Sequence, residues 1–402
     1  MSCSFGHGKI ILYRTHVPVA CRGGAELKRR KQSDTVKIKN DNEIGYVYRY
    51  RIYPTHEQEK AMFDTLNLCR ELYNLALNQR QIAYKQFKTS VNYVKQQNEL
   101  PVFKQAFSEF KNVQSQVLQD VLHRLDKAYI NFFEKRAKYP RFKPRDRYVS
   151  FTYPQVQKSK PYIDGYIYLS KIGYVKVHTH RPFDWEKVKQ ITVKYESGEW
   201  YVSLVATVTI RNKSHTHSEM GIDVGIKRFV ALSDGQTLAS PKYLRKAEKR
   251  LKRLQRRLSR KKKGSNNRRK AKDLLAIQHK KVVNKRRDFL HKTSFRIVKH
   301  CKLIAVENLH VKNMVRNHKL AKSIADSSWS KFINMLEYKS ALYGRRLIKV
   351  PAQGTSQTCI CGHPVPKDLS IRVHHCDKCN ITKDRDVMSA MVILQKAKKL
   401  IA

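Results

Sequence analysis

The sequence predicts a multidomain α+β protein: an antiparallel β-barrel with a helical insert, followed by an α/β domain that carries a cysteine-rich insert near its end. Three observations predict it. Short alternating strands fill residues 139–212, and one similar strand stands far upstream at 46–53. The stretch between them, 56–138, has helical periodicity. After residue 218, apolar strand-like runs alternate with long helical segments until four cysteines crowd into residues 359–379.

A chain of 402 residues suffices for two or three domains, and 41% hydrophobic content fits globular folding. Against 32 Asp and Glu stand 83 Lys and Arg, a net charge of +51 spread over the whole length. A polyanionic partner is expected. An acidic membrane surface would also attract such charge, but no apolar run approaches the ~18 residues of a span and no lipidation motif is present. The first residues lack the apolar core and cleavage site of a secretory signal, so a cytoplasmic setting at the nucleoid is expected.

Residues 1–44 show no clear period and read as an extension of uncertain order. Organised sequence opens with YVYRYRIYPT, a strand of alternating aromatic and basic residues, and Thr55-His-Glu-Gln58 is a capping box that starts a helix. Phe63, Leu66, Cys69, Tyr73 and Leu77 form its stripe; Val117, Leu118, Val121, Leu125, Tyr129 and Phe132 mark a second helix. Residues 56–138 are therefore a helical unit. Hairpins follow, with Asp164-Gly165 and Ser197-Gly198 as turn pairs. The strand at 46–53 would complete their sheet, which makes residues 45–55 plus 139–212 the barrel. In RAKYPRFKPRDRY basic and aromatic residues interleave, and Arg141 and Lys143 are candidate phosphate contacts, while most aromatics are expected in the core.

A linker, RNKSHTHSE, leads to GIDVGIKRFVALSDGQTL, an apolar strand carrying Asp223 and a second strand ending in a Ser-Asp-Gly turn. CKLIAVENLHV repeats the pattern and places Glu307 at a strand end. Asp384-Arg-Asp386 precedes VMSAMVILQKA, a helix start at which an N-cap Asp is the ordinary structural role. Each acid has a bland explanation by itself. Phosphodiester cleavage is a reason to gather all three: two ions about 4 Å apart need bridging carboxylates to hold water and leaving oxygen in line. Magnesium suits such hard oxygen ligands. Two strand-borne acids and one at a helix start is the arrangement of RNase H-like nucleases.

Between the first two acids, residues 242–292 read as a helical hairpin with stripes of Leu244, Leu251, Leu254 and Leu258, then Ala271, Leu275, Val282 and Phe289, broken at Gly264 to Asn267. Acidic residues are nearly absent there, so the charge is not spent on ion pairs. Arg256, Arg257, Arg260, Lys261, Lys262, Lys263, Arg268 and Arg269 are expected to meet phosphates, as is Lys227. Cys3, Cys21, Cys69 and Cys301 are solitary, whereas Cys359, Cys361, Cys376 and Cys379 cluster as a structural Zn2+ site does in a reducing compartment. The first knuckle, Cys359-Ile-Cys361, is one residue shorter than the usual C-x2-C, which leaves His363 as an alternative ligand. In the second, Asn380 takes the left-handed turn usually given to Gly.

RYRIYPTHEQE, GIDVGIKRFVALSDG, LQRRLSRKKKGSNNRRKA, NKRRDFLHK, IAVENL, WSKFINMLEYKSALYG, TSQTC and DRD together closely resemble the TnpB family, transposon-encoded RNA-guided DNA nucleases related to CRISPR effectors with a single RuvC-like nuclease domain. The resemblance runs from about Tyr46 to the C-terminus. It implies a wedge-type β-barrel with a helical recognition insert, a RuvC-like RNase H fold over 218–402, and a zinc-ribbon insert over 352–383. By the same resemblance Asp223, Glu307 and Asp386 are the catalytic triad and the Mg2+ ligands, two ions being expected, and Asp384 supports the loop. A guide RNA from the transposon end would pair with one strand of double-stranded target DNA beside a short flanking motif. Met388 stands where the family commonly has Asn, a loss of a polar group that would orient Asp386. Three other readings share parts of this pattern: a guided repressor that no longer cuts, a transposase-type strand transferase, and a ribosomal-type RNA-binding protein. Magnesium-dependent cutting, strand-transfer products and the effect of Asp223→Ala separate them.

Overall fold

The computed structural model describes residues 38–40, 43–210, 218–368 and 371–401. Nearly all of the expected extension, and the linker 211–217, lie outside the described residues.

The first half is built on seven strands. They are β1 (Ile38–Asn40), β2 (Glu43–Tyr53), β3 (Ser150–Tyr153), β4 (Tyr166–Leu169), β5 (Gly173–His178), β6 (Val188–Glu196) and β7 (Glu199–Thr209), in the order β3-β6-β7-β2-β5-β4 with β1 beside β2. The upstream strand does join the downstream hairpins: β2 pairs with β7 from Glu43↔Thr209 to Ile52↔Trp200 and with β5 at its far end. Both turn pairs have the positive φ expected of them, 46° and 82° at Asp164-Gly165 and 52° and 80° at Ser197-Gly198. Closure is where the expectation fails. The edge strands β3 and β4 share no ladder, so the sheet is a half-barrel, and the gap is crossed by the Tyr153 hydroxyl donating to the Ser170 carbonyl at 2.9 Å. Both edges are only four residues long and Pro154 ends β3, removing the donor that a longer ladder would need.

The insert consists of α1 (His56–Phe87), α2 (Tyr93–Ala106) and α3 (Ser115–Phe133). The capping box forms as written, Gln58 N–H donating to Thr55 Oγ1 at 3.3 Å and Thr55 N–H to Gln58 Oε1 at 3.1 Å. Met62, Cys69 and Leu77 of α1 meet Leu118, Val121 and Leu125 of α3 in a core continuous with Tyr50, Phe151, Val193 and Leu204 of the sheet. Insert and sheet thus share one interior.

The second half has a five-stranded sheet, β8 (Ser218–Val224), β9 (Arg228–Leu232), β10 (Thr237–Ala239), β11 (Cys301–Glu307) and β12 (Arg346–Val350), ordered β10-β9-β8-β11-β12. β8, β9 and β10 run antiparallel as a meander, while β8, β11 and β12 are parallel. The helices are α4 (Tyr243–Ser259), α5 (Asn266–His300), α6 (Val311–Met314), α7 (His318–Ser327), α8 (Trp329–Leu342) and α9 (Arg385–Lys399), and a small hairpin, β13 (Val373–Cys376) with β14 (Ile381–Asp384), leads into α9. Ile222, Ile304 and Val306 face one layer with Leu290 and Val298 of α5 and Phe332 and Leu336 of α8. Ala305 and Val350 face Ile393 and Ala397 of α9 on the other side.

Gly221 explains how close α9 lies to β8. A Cβ there would stand 1.9 Å from the Ala390 carbonyl oxygen, a backbone atom that cannot step aside. Gly221→Ala must therefore lift α9, at a cost of about 3 kcal/mol. The expected result is a fall of roughly 6–12 °C in the unfolding midpoint by differential scanning calorimetry; an unchanged midpoint would contradict this packing.

The basic hairpin forms with its expected stripes in part. Leu251, Leu275 and Val282 are buried with Leu244, Leu254 and Leu258 packed against them. Phe289 belongs to the sheet core, edge-on to Phe229 at 5.0 Å. The break falls earlier than expected, because Ser265 caps α5 and so Asn266 and Asn267 are helical; α5 also runs on to His300, beyond the expected limit at 292.

Candidate functional site

The parallel register places the first two acids side by side. β11 and β8 match Val306 with Ile222, so one step further along each strand come Glu307 and Asp223, at the carboxyl ends of adjacent strands. That is where open α/β sheets form their sites. Asp386 enters from the first turn of α9, whose start is fixed by Asp384: this side chain accepts the N–H groups of Asp386 at 3.0 Å and Val387 at 3.4 Å. Arg228 of β9 binds the other oxygen of Asp384 at 2.5 Å, tying the helix start to the sheet. Asp384 is thus the cap, which leaves Asp386 free of that role.

Asp223 feels the other two carboxylates. Asp223 keeps part of its surface open, yet burial, then Glu307, then Asp386 push its carboxyl up to about 8. Glu307 is also raised, chiefly by burial, against the opposing pull of the Thr355 hydroxyl and of Lys396. Like charges held together in a partly desolvated place are unfavourable until a cation enters. Among the described residues, the four cysteines are the group whose ligand atoms gather closely enough to hold a single ion, and the three carboxylates do not reach that closeness.

Several partners here carried no sequence signal. Buried Thr355 donates to Glu307 Oε1, Arg372 stands 3.8 Å from Asp386 Oδ1, and Arg385 turns away to the carbonyls of Asp368 at 2.9 Å and Ile371 at 3.3 Å. Thr355 lies in the TSQTC motif, but only the fold brings it to a residue 48 positions earlier.

The cysteine group assembles in full. The ligand sulfurs of Cys359, Cys361, Cys376 and Cys379 all lie within 4.8 Å of one another, with Cys359 and Cys379 at 3.6 Å and Cys361 and Cys376 at 3.7 Å. A tetrahedron with Zn–S near 2.3 Å has edges of about 3.8 Å, so the donor set fits zinc. The short knuckle closes through Gly362, at φ 86°, whose N–H reaches the Cys359 carbonyl at 2.9 Å. His363 is therefore not needed as a ligand; it offers its backbone carbonyl to Cys359 N–H at 2.9 Å. Asn380 has the left-handed conformation expected, φ 52°. Met388 is buried against Cys359 and Cys376, so it packs the cysteine core, and the backbone of Asp386 is held by the Asp384 side chain.

Of the basic candidates, Arg256, Arg257, Arg260, Lys261, Lys262, Lys263 and Arg269 are exposed along the hairpin, and Lys227 is exposed in the β8–β9 turn. Arg141 is exposed, while Lys143 is half-buried and its backbone is clasped by Asn74 at 2.8 and 3.1 Å. Arg268 differs from expectation, because one of its nitrogens donates to the carbonyls of Leu258 and Lys261, both at 2.9 Å, closing the end of α4. No described helix is long and apolar enough to cross a membrane.

Comparison with known proteins gives three family matches: "Probable transposase" over residues 190–318, "Cas12f1-like, TNB domain" over 329–393 and "Helix-turn-helix domain" over 46–89. In this chain the last stretch forms most of β2 and all of α1. A protein of Streptomyces pristinaespiralis named "Putative RNA-guided DNA endonuclease" is 36% identical over 361 residues, covering 88% of this chain and 89% of that one. "Putative RNA-guided DNA endonuclease InsQ" of Escherichia coli K12 is 32% identical over 375 residues, with 88% and 93% covered. The solved "Cas12f1-sgRNA-target DNA complex" matches the fold with a TM-score of 0.55 at 15% identity, over 88% of this chain and 99% of that one. The multidomain α+β architecture is shared with it.

Proposed function

Since the chain belongs to the TnpB family, we propose that it is an RNA-guided endonuclease that cuts double-stranded DNA matched to its guide, beside a short flanking motif. The observation that carries the reading is the convergence of Asp223, Glu307 and Asp386 at the carboxyl end of the parallel strands β8 and β11, a placement that would suit an RNase H-like, RuvC-type domain. Asp223, Glu307 and Asp386 would hold Mg2+. When bound, the cations supply the positive charge that activates a water and steadies the departing oxygen. The chain's own contribution is orientation. Thr355 points the Glu307 carboxylate, Asp384 and Arg228 fix the helix start that presents Asp386, and Gly221 lets α9 approach closely enough to complete the group. Cys359, Cys361, Cys376 and Cys379 would hold structural Zn2+ in a ribbon over 352–383 that runs directly into α9. The half-barrel, 45–55 with 139–212, and the helical insert, 56–138, would serve as wedge and recognition parts. The exposed basic face of α4 and α5 is suited to the backbone of an RNA–DNA heteroduplex, which is recognised by shape and charge.

The test is cleavage of a plasmid bearing a guide-matched site beside a randomised flank, with protein co-expressed with transposon-end RNA, in magnesium, against Asp223→Ala. Cleavage lost in that variant is the expected result. Guide-dependent binding without cleavage by the native sequence would make the chain a targeted DNA-binding protein instead.

A further inference from the structure

The loop after β5 meets α5 and α8 at a place that none of the basic residues discussed above occupies. Arg181 from this loop donates to the Tyr46 hydroxyl of β2 at 2.8 Å and has its backbone fixed by the Tyr50 hydroxyl, also at 2.8 Å. Tyr46 packs against Tyr338 of α8, ring centroids 6.1 Å apart, and the Tyr338 hydroxyl lies 3.4 Å from His291 Nδ1 of α5. Lys339 is buried beneath them, its Nζ held by the His291 carbonyl at 2.7 Å and the Ser294 hydroxyl at 2.8 Å.

The charges here are one-sided. Burial and then Arg181 lower the Lys339 ammonium to about 8. Burial, then Lys339, Arg287 and Arg181, lower His291 to about 4, and the sole acid acting on it, Asp288, is already paired with Lys292 at 2.9 Å. Arg181 and Arg287 both act on the Tyr338 hydroxyl as well. The hydrogen-bond partners of Lys339 are neutral oxygens, and a desolvated ammonium without a carboxylate is costly unless an anion arrives.

We propose that Arg181, Arg287, Tyr338 and Lys339 form a seat for one backbone phosphate of the bound nucleic acid, at the junction of the half-barrel with α5 and α8. Arg181 presents an exposed side chain whose guanidinium suits a phosphate's paired oxygens, exposed Arg287 stands one turn before His291 on α5, and Lys339 supplies a fixed charge underneath. This rests on the nucleic-acid reading above and adds a contact apart from the basic residues around the hairpin's tip.

The test uses the full chain loaded with its RNA, alone and with target DNA, and compares the native sequence with Arg181→Gln and Lys339→Met. Phosphate-ethylation protection should reveal one phosphate that is shielded in the native complex and reactive in both variants; whether it lies in RNA or DNA identifies the strand. The slope of log affinity against log salt should fall by about 0.7 in each variant if the phosphate is in single-stranded RNA, and by about 0.9 if it is in a duplex. Lys339→Met, free of an uncompensated charge, should unfold no earlier than the native protein in the absence of nucleic acid. A lower midpoint with unchanged slope would mean a structural lysine and overturn the seat, as would unchanged protection in both variants. Native protein that binds no RNA in a salt-dependent way would instead overturn the nucleic-acid reading itself.

Discussion

Glu307→Gln is expected to lower DNA cleavage by roughly 10³-fold or more while leaving RNA affinity unchanged. The substitution keeps the shape of the side chain and its contact with Thr355, and removes only the charge that a metal would require. It also removes a like charge beside Asp223, whose carboxyl is raised partly by Glu307. The cation-free variant should therefore be no less stable than the native protein, and that separates a lost ligand from a damaged fold. Thr355→Val should be milder, about tenfold in rate, because it frees Glu307 to rotate without discharging it. Single-turnover cleavage and filter binding on the same preparations decide the matter. A Glu307→Gln protein that cuts at the native rate removes Glu307 from the centre.

The second large effect is expected from zinc. Cys359 and Cys376 are the buried floor on which Met388 and Val392 of α9 rest, with Ile360, Val365 and Ile381 around them. On the proposed reading, bound zinc would tie this hairpin together beside that small apolar cluster. Cys376→Ser should purify with less than one zinc per chain by plasma mass spectrometry and should lose cleavage, because the first turn of α9 carries Asp386. RNA binding should survive, since the α4–α5 hairpin packs through Leu251, Leu275 and Val282, apart from the ribbon. Chelated native protein should regain activity when zinc and magnesium are both restored and not on adding magnesium alone. Full activity in a zinc-free preparation would mean that the four thiols close without metal.

The sequence was most legible where one residue type has one use. Asp-Gly and Ser-Gly turns, the Thr55 and Gln58 capping box, Asn380 after the second knuckle, and acids at the ends of apolar runs all took the places that local rules assign. What escaped were partnerships set by the global path of the chain. Nothing in TSQTC says that its first threonine will meet Glu307, and nothing near Asp386 says that Arg372 will stand beside it across a hairpin. The open edge between β3 and β4 was hidden for a related reason: alternation predicts strands, while closure depends on how far each ladder extends. Phe289 fits the hairpin's period and Arg268 its basic run, and both are nonetheless drawn off, one by the sheet core and one by the carbonyls ending α4.

The place of α9 also sets an order of events during synthesis. β8 carries the first acid, but the groove that Gly221 leaves open on it is filled by the last helix described, after 163 further residues, from 223 to 386, have been added. Domains fold from the N-terminus as they emerge. The half-barrel, its helical insert and the basic hairpin can therefore all fold on the ribosome while the carboxylate group at the sheet's end still lacks Asp386. On the function proposed above, a nascent chain would be armed last, after the parts that would hold its guide exist.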